Sequence, residues 1–583
     1  MVEVLKVYMD HHIARDGFLY KRSNEKVSPN TSHNPQPFLR LRDLSGEKSM
    51  DRVLRKPDFQ RATWAWSPSE CVSLLESFVK EQVIPSIIMW LSPEKRWYVL
   101  DGGHRISVVL AWLRDDWGDK VPSQVFQGDA ELEASVRDAA DEVRSLLKKK
   151  IIGKFEDYGL AFERSENLAE ESKDFEEELN GETAERVAFY RSFLSGSVGF
   201  PLQWVKGDYE KAEESFLKIN TGGRSLTEWE IKLVKNRNSS FARVVMSISD
   251  ITRAEHCWPT RVHEKTIRPQ IKQDVNEILH GVTNLHKILF EPTSDSLSEK
   301  VQQPLFNESR VEPDKKPAYL AELFTVIEGG KGRETQTERL LKQDREASPQ
   351  ELISNGLKLI KEGQEVLNHL VGNSSQSLAL VPSIYFYSEN GKHVRSLLYG
   401  FVYWLFTRND AEFTFKRKLL FSAYRNSFEQ VLLTKKKEIV NSFSRRGSGS
   451  EITEQIARYY QDFLSLLIKY DGHVRSEAFV EEYEELFGQI SVTSIRSSFT
   501  EKLSRCSVCM GIVDMIKEAR FDQKEINAKE SLSVHPFCKT NRSLIESIQN
   551  GQNPIDLPSL TITEALEKPK QLSFLDFENI DAN

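Results

Sequence analysis

Cysteine is scarce in this chain, with five among 583 residues, and an odd, sparse set rules out the disulfide framework of a small secreted scaffold. Long apolar runs are missing as well. The most apolar stretch, residues 394–406, is charged or polar at its ends and shorter than the ~18 uncharged residues a membrane span requires. Lys6, Asp10 and Arg15 interrupt the N-terminus, so it reads as having no secretory h-region. Nor does one charge dominate: 79 basic against 87 acidic residues leave a net charge of -8, which argues against a protein that coats nucleic acid indiscriminately. These absences together predict a cytoplasmic protein that does not cross a membrane. With 39% apolar residues the chain has ample material for three or four domain cores.

The most informative segment that is present is residues 99–110, Val-Leu-Asp-Gly-Gly-His-Arg-Ile-Ser-Val-Val-Leu. It reads as a strand that turns through a diglycine into an apolar helix. Gly102 and Gly103 let backbone approach an anion closely, and the first N–H groups of the helix favour negative charge. Arg105 in the first turn adds a bidentate grip on phosphate. Asp101 at the strand end is placed either to cap the helix or to hold a metal ion. A purely structural turn is the plainer explanation of the same residues.

Two further blocks share the chain with this one. Upstream runs Pro-Asp-Phe-Gln-Arg-Ala-Thr-Trp-Ala-Trp at 57–66, then an apolar-periodic helix over 71–79 and strand-like segments at 83–90 and 97–100. Downstream, residues 216–230 contain a second diglycine, Asn220-Thr221-Gly222-Gly223-Arg224, followed by Thr227 and Glu230 at capping-box spacing. Taken alone, this second block is also explained as a corner between two helices with a C-terminal glycine.

The three blocks, in this order over residues 45–240, resemble the N-terminal domain of GmrSD-type restriction proteins, a ParB-like nuclease-related fold shared with the phage-defence proteins SspE and BrxU. The resemblance implies a nucleotide-binding module of prokaryotic anti-phage defence, with triphosphate hydrolysis as an open extension. It implies that Asp101, His104 and Arg105 supply catalysis and that Gln60, Arg61, Gly102, Gly103, Asn220, Gly222, Gly223 and Arg224 line one nucleotide cleft, with magnesium accompanying the triphosphate. The family usually reads Asp-Gly-Gln-Gln-Arg where this chain has Gly103 and His104, a form closer to the Asp-Gly-x-His-Arg of ParB-like proteins. That departure leaves phosphate binding intact and hydrolysis in question. His104 then acts as an acid or base, or only orients a phosphate.

Farther along, residues 416–446 hold nine basic side chains against Glu429 and Glu438, interleaved with aromatics. Lys416, Arg417, Lys418, Lys435, Lys436 and Lys437 therefore stand as candidates for a surface facing DNA or RNA. A solvated helix face is the competing reading.

Near the C-terminus, Cys506-x-x-Cys509 and His535-x-x-Cys538 form two paired-ligand knuckles. Three thiolates and one imidazole suit a closed structural zinc site. This run resembles the zinc-knuckle version of the HNH endonuclease fold. Its catalytic pair would fall at Asp522-Gln523, however, and Lys539 stands where a ligand usually follows the last cysteine. The resemblance thus implies a relic that keeps zinc and has lost cleavage, because general-base and metal chemistry lack their residues.

The organisation expected is α+β: a ParB-like N-terminal domain with a helical insertion, then a mostly α-helical half ending in the knuckle. The boundaries read as an arm and loop at 1–44, the ParB-like domain at 45–245 with its insertion at about 129–190, and a helical connector at 246–350. A helical domain at 351–495, the knuckle at 496–550 and a tail at 551–583 follow. Cys71 and Cys257 read as incidental buried thiols. The function expected is nucleotide-dependent defence acting on nucleic acid, with a companion protein or a homodimer compatible with the chain. An active modification-dependent endonuclease and a non-catalytic nucleotide-stabilised scaffold are the alternatives.

Overall fold

The computed structural model describes residues 5–15, 36–44, 54–57, 60, 66–79, 82–92, 96–122, 130–150, 199–219, 227–258, 269–291, 293–294, 301–302, 304–306, 315–330, 334–388, 393–406, 411–444, 449–487, 503–515 and 534–551. The chain divides into two compact units, one of residues 1–237 with 250–272 and one of residues 238–249 with 273–583.

The first unit is built on a five-stranded sheet of β1 (Phe38–Arg40), β2 (Leu54–Arg55), β3 (Ile87–Leu91), β4 (Trp97–Asp101) and β5 (Gly199–Lys206), in the order β1-β5-β3-β4-β2. β3 runs antiparallel to β4 and parallel to β5. Its central strands are apolar at almost every position because both faces are covered. Ile87, Met89 and Val99 face a core shared with α1 (Pro68–Val79), α2 (Gly103–Arg114) and α3 (Ala130–Lys150). Trp90, Tyr98 and Leu100 face the other way, against Ala212 and Phe216 of α4 (Tyr209–Ile219) and Val234 of α5 (Glu228–Lys235). The period-2 alternation of side chains along each strand divides the two cores.

α3 realises the first part of the expected helical insertion, with Val136, Ala139, Ala140, Val143 and Leu147 on its buried face. The rest of that insertion, residues 151–190, lies outside the described residues.

Residues 5–15 are built into this unit rather than standing apart as an arm. Val7, Met9 and Ile13 are fully buried. The Val7 N–H donates to Trp66 O at 2.9 Å, and the Lys56 N–H donates to Ala14 O at 2.9 Å. Arg15, Asp10 and Lys56 form an internal ionic cluster, with Lys56 Nζ 2.8 Å from Asp10 Oδ1 and Arg15 Nη2 3.2 Å from it.

The second unit is helical among its described residues apart from short strand pairs. In chain order it contains α6 (Ser240–Ser249), α7 (Pro269–Phe290, whose first turn belongs to the other unit), α8 (Lys316–Ile327), α9 (Glu334–Lys342) and α10 (Pro349–Val371). Then come α11 (Pro382–Tyr385), α12 (Arg395–Phe406), α13 (Ala411–Ala423), α14 (Arg425–Ser444), α15 (Gly449–Lys469) and α16 (Glu477–Phe487). α10 starts at a complete capping box of Ser348 and Glu351. As the sequence anticipates, α12 is a core helix. Its Phe401 ring lies 5.4 Å from Tyr460 of α15 and 5.6 Å from Phe421 of α13, and Trp404 Nε1 donates to Gln461 at 3.1 Å. The unit closes with a hairpin whose described strands are Leu503–Arg505 and Ile512–Met515, followed by α17 (Pro536–Thr540) and α18 (Arg542–Gln549).

Candidate functional site

The Asp101–Arg105 turn forms where β4 ends and α2 begins. Gly102 is the N-cap of α2 with φ 91°, and a Cβ placed there would lie 2.2 Å from Ile87 Cδ1, so both the conformation and the space call for glycine. The first helical bond runs from Ile106 N–H to Gly102 O at 3.1 Å. The amides of Gly103, His104 and Arg105 precede that bond and have no acceptor within the helix. Asp101 does not cap α2; its Oδ2 holds Arg105 Nη2 at 2.5 Å, a pairing across one helical turn that fixes the guanidinium beside the glycines. The capping role for Asp101 is thereby corrected.

Gln60 arrives at the same turn from a different part of the chain. A Cβ on Gly103 would stand 3.1 Å from Gln60 Nε2. The approach is held by Arg15, whose Nη1 donates to Pro57 O at 3.1 Å and to Gln60 O at 2.6 Å. Burial pushes Lys56, beneath this loop, down to about 8, against the raising effect of Asp10. The Gln60 Oε1 atom is buried and has no hydrogen-bond partner among the described residues. His104 lies flat on Trp66, with ring centroids 5.6 Å apart and planes 11° from parallel.

Arg61, Asn220, Gly222, Gly223 and Arg224 lie outside the described residues. The helices that flank the second diglycine are described. Tyr209, at the start of α4, packs edge-on against Trp90 at 5.8 Å, and Trp90 sits opposite Tyr98. Phe216, nearly two turns later, shares a core with Leu100. α4 therefore packs on the face of the sheet that bears Trp90, Tyr98 and Leu100. On the other flank, Thr227 and Glu230 make the anticipated capping box at α5.

The Cys506, Cys509, His535 and Cys538 side chains are all buried, and one donor atom from each lies within 4.8 Å of the others. His535 Nδ1 is 3.2 Å from Cys509 Sγ and 3.8 Å from Cys538 Sγ. Tetrahedral zinc, with Zn–S near ~2.3 Å and Zn–N near ~2.0 Å, places such atoms roughly 3.5 Å apart, so the donor set fits the ion. His535 Nε2 donates to Ile512 O at 3.1 Å, which leaves the Nδ1 lone pair for a metal. The Gly511 N–H points at Cys509 Sγ from 3.4 Å. Hydrogen bonds from Cys509 and Cys538 pull the Cys506 thiol below its ordinary range, while burial pushes Cys509 above it. Asp522 and Gln523 lie outside the described residues, and Lys539 is exposed on α17.

The basic segment departs from its expected role. Arg417, Lys418, Lys435 and Lys436 are buried, at 3%, 1%, 5% and 4% exposure, so they are not a face turned to nucleic acid. Lys418 Nζ donates to the main-chain oxygen of Gln376 and lies 4.4 Å over the Phe537 ring, beside the knuckle. Lys436 Nζ donates to Ser383 O at 3.1 Å, and the Arg417 guanidinium covers the Phe413 ring at 4.0 Å. Lys416 pairs with Glu412 one turn away on the same helix, and Lys437 alone of the six is exposed. Helical periodicity turned the run inward, and the long apolar stems pack while the Lys418 and Lys436 heads donate to carbonyls and Lys435 pairs with Glu438. The sequence also carried no spacing that joins His11 and His12 to Asp116, yet the structure gathers the three.

Residues 41–238 match the family model described as GmrSD restriction endonuclease, N-terminal domain. No curated protein and no solved structure matches the chain.

Proposed function

We propose, from the premise that residues 41–238 are a GmrSD-type N-terminal domain, that this is a restriction or anti-phage defence protein whose N-terminal domain binds a nucleoside triphosphate at the Asp101–Arg105 turn. The observation that carries the reading is the buried Gln60 Oε1 beside Gly103, at the N-terminus of α2, which has no hydrogen-bond partner among the described residues. An orphaned buried acceptor costs ~1–3 kcal/mol unless a donor meets it, and a bound ligand with an amine or hydroxyl supplies that donor. The amides of the first turn and Arg105 take phosphate oxygens. Asp101 holds Arg105 in place, and its carboxylate would help to hold a magnesium ion that accompanies the phosphates. His104, braced by Trp66, orients the terminal phosphate, and the segment 220–224 closes the cleft from the end of α4.

The C-terminal knuckle takes zinc through Cys506, Cys509, His535 and Cys538, where the ion supplies a structural crosslink rather than a reaction. The target in this reading is DNA, as the restriction-endonuclease description of the matching family suggests.

The test is equilibrium binding of labelled ATP and GTP with magnesium, alongside phosphate release. Arg105→Ala should weaken triphosphate binding by ~1.5–3 kcal/mol, the range for a charge-assisted hydrogen bond. Gln60→Leu should weaken it too while leaving the fold intact. Affinity unchanged in both variants, or absent from the unaltered protein, would overturn the reading. Magnesium-dependent nicking of modified DNA that survives loss of triphosphate binding would favour an endonuclease instead.

A further inference from the structure

The opposite end of α2 carries a second constellation. A ring nitrogen of His11, a ring nitrogen of His12 and a carboxylate oxygen of Asp116 all lie within 4.8 Å of one another. His11 Nε2 is 3.0 Å from Asp116 Oδ2, and His12 Nε2 is 2.8 Å from the Asp116 main-chain oxygen. The two imidazoles come from neighbouring positions on a 3-10 turn, Asp10–His12, with ring centroids 4.0 Å apart.

The loop after α2 is shaped to deliver the carboxylate. Asp115 takes a positive φ of 46° to end the helix, and Gly118 takes φ 99°. A Cβ on Gly118 would sit 2.5 Å from Tyr8 O, so the loop lies directly on the segment that bears the histidines. The Gly118 N–H donates to Asp116 Oδ1 at 3.1 Å, which orients the carboxylate and leaves Oδ2 toward His11. Tyr8 stacks on the His11 ring at 5.8 Å and 7°. The His11 and Asp116 side chains keep 25% and 17% exposure, so the cluster opens to solvent on one side.

We propose that His11, His12 and Asp116 form a binding site for one divalent first-row transition ion, of the class Mn(II) to Zn(II), with water completing its coordination. Two imidazoles and one carboxylate match the preferences of these ions; magnesium and calcium favour all-oxygen sets, and copper(I) favours thiolates. Bonds of ~2.0–2.2 Å at ordinary coordination angles put donors about 3–3.5 Å apart, a modest adjustment from the present separations. The site has no sulfur, so it is chemically distinct from the cysteine-rich cluster.

Arg114 marks the competing interaction. Its Nη1 lies 3.5 Å from His12 Nδ1, at the limit of a hydrogen bond, and the residue is exposed. A bound cation repels that guanidinium, so removing it should favour the ion.

The experiment uses the full chain loaded with one zinc per molecule and titrated with Co(II), read by visible absorption. Binding here gives cobalt d–d bands without the thiolate charge-transfer band that exchange into the cysteine cluster would produce. The expected result is one equivalent bound without charge transfer. His11→Ala and Asp116→Asn should each weaken it by roughly 10-fold or more, and Arg114→Gln should tighten it. Unfolding midpoints of the variants confirm that they fold. No cobalt taken up beyond the zinc already present, or uptake indifferent to His11→Ala and Asp116→Asn in folded protein, would overturn the proposal.

Discussion

The Ile512 N–H donates to Glu429 Oε2 at 2.6 Å, while the Ile512 carbonyl accepts from His535 of the cysteine–histidine cluster at 3.1 Å. One residue thus joins the cysteine–histidine cluster to a carboxylate on α14. The other oxygen of that carboxylate takes Arg425 Nε at 2.8 Å and the Tyr385 hydroxyl at 2.6 Å. Burial and the neighbouring Glu429 raise the Tyr385 hydroxyl well above its ordinary range, despite the lowering effect of Arg425, so it remains a donor at neutral pH. Glu429→Ala leaves Arg425, which is fully buried, without its counter-charge. We expect a loss of ~3–5 kcal/mol in urea unfolding and faster zinc transfer to a chromophoric chelator. Unaltered unfolding and release would show that the knuckle does not lean on this carboxylate.

Metal content should be one zinc per chain by mass spectrometry. Cys506→Ser should abolish it and lower the melting temperature, because metal binding and local folding are one equilibrium in a closed site of this kind. Full zinc retention in the variant would exclude Cys506 as a ligand.

At the candidate nucleotide turn, Gly102→Ala forces a side chain into a left-handed conformation and against Ile87. A cost of ~1–3 kcal/mol from the backbone alone is expected, before the clash is counted. Calorimetry of the variant checks this, and an unchanged melting temperature would mean that the turn relaxes freely.

His393 supplies a pH dependence. Burial, then the nearby Arg395, lowers it to about 3. Its ring is enclosed by Phe306 at 5.1 Å and Tyr387 at 5.3 Å. The folded state refuses a proton that the unfolded chain accepts below its ordinary value of 6.5, so this contribution to stability is complete above that pH and falls as pH drops toward 3. At pH 5 the loss is about 2 kcal/mol. His393→Phe should flatten the acid limb of the stability profile between pH 6.5 and 4; the same slope in both proteins would assign acid lability elsewhere.

The lysine run offers a discrimination between surface and core. Lys437→Gln should change stability by no more than ~0.5 kcal/mol. Lys436→Gln instead removes the donor to Ser383 O from a buried position and should cost ~1–3 kcal/mol in chemical denaturation. Equal, negligible effects would return these side chains to a solvated face.

The elements with strong local signals were legible. The apolar strands at 87–91 and 97–101, the core helix at 395–406 and the Thr227–Glu230 capping box follow from periodicity and capping chemistry alone. The cysteine and histidine spacing singled out four side chains that the structure does bring into one cluster. The basic segment misled because counting charge ignores direction: helical geometry sends Lys418 and Arg425 inward, where backbone carbonyls and Glu429 replace water. His11 and Asp116 were invisible for another reason. They are far apart in sequence, and tertiary packing, with Tyr8 against the Gly118 loop, joins them.

Arg15, Asp10 and Lys56 bear on where this molecule can be cut. The family match starts at residue 41, but the carbonyls of Pro57 and Gln60 are tied to a guanidinium contributed by residue 15, and the buried ammonium of Lys56 rests on residue 10. Similarity and physical integrity therefore have different borders. A fragment trimmed to the matched region would carry both diglycine blocks and still present an uncompensated interior cation beneath the glycine turn, so its inactivity would say nothing about the intact protein.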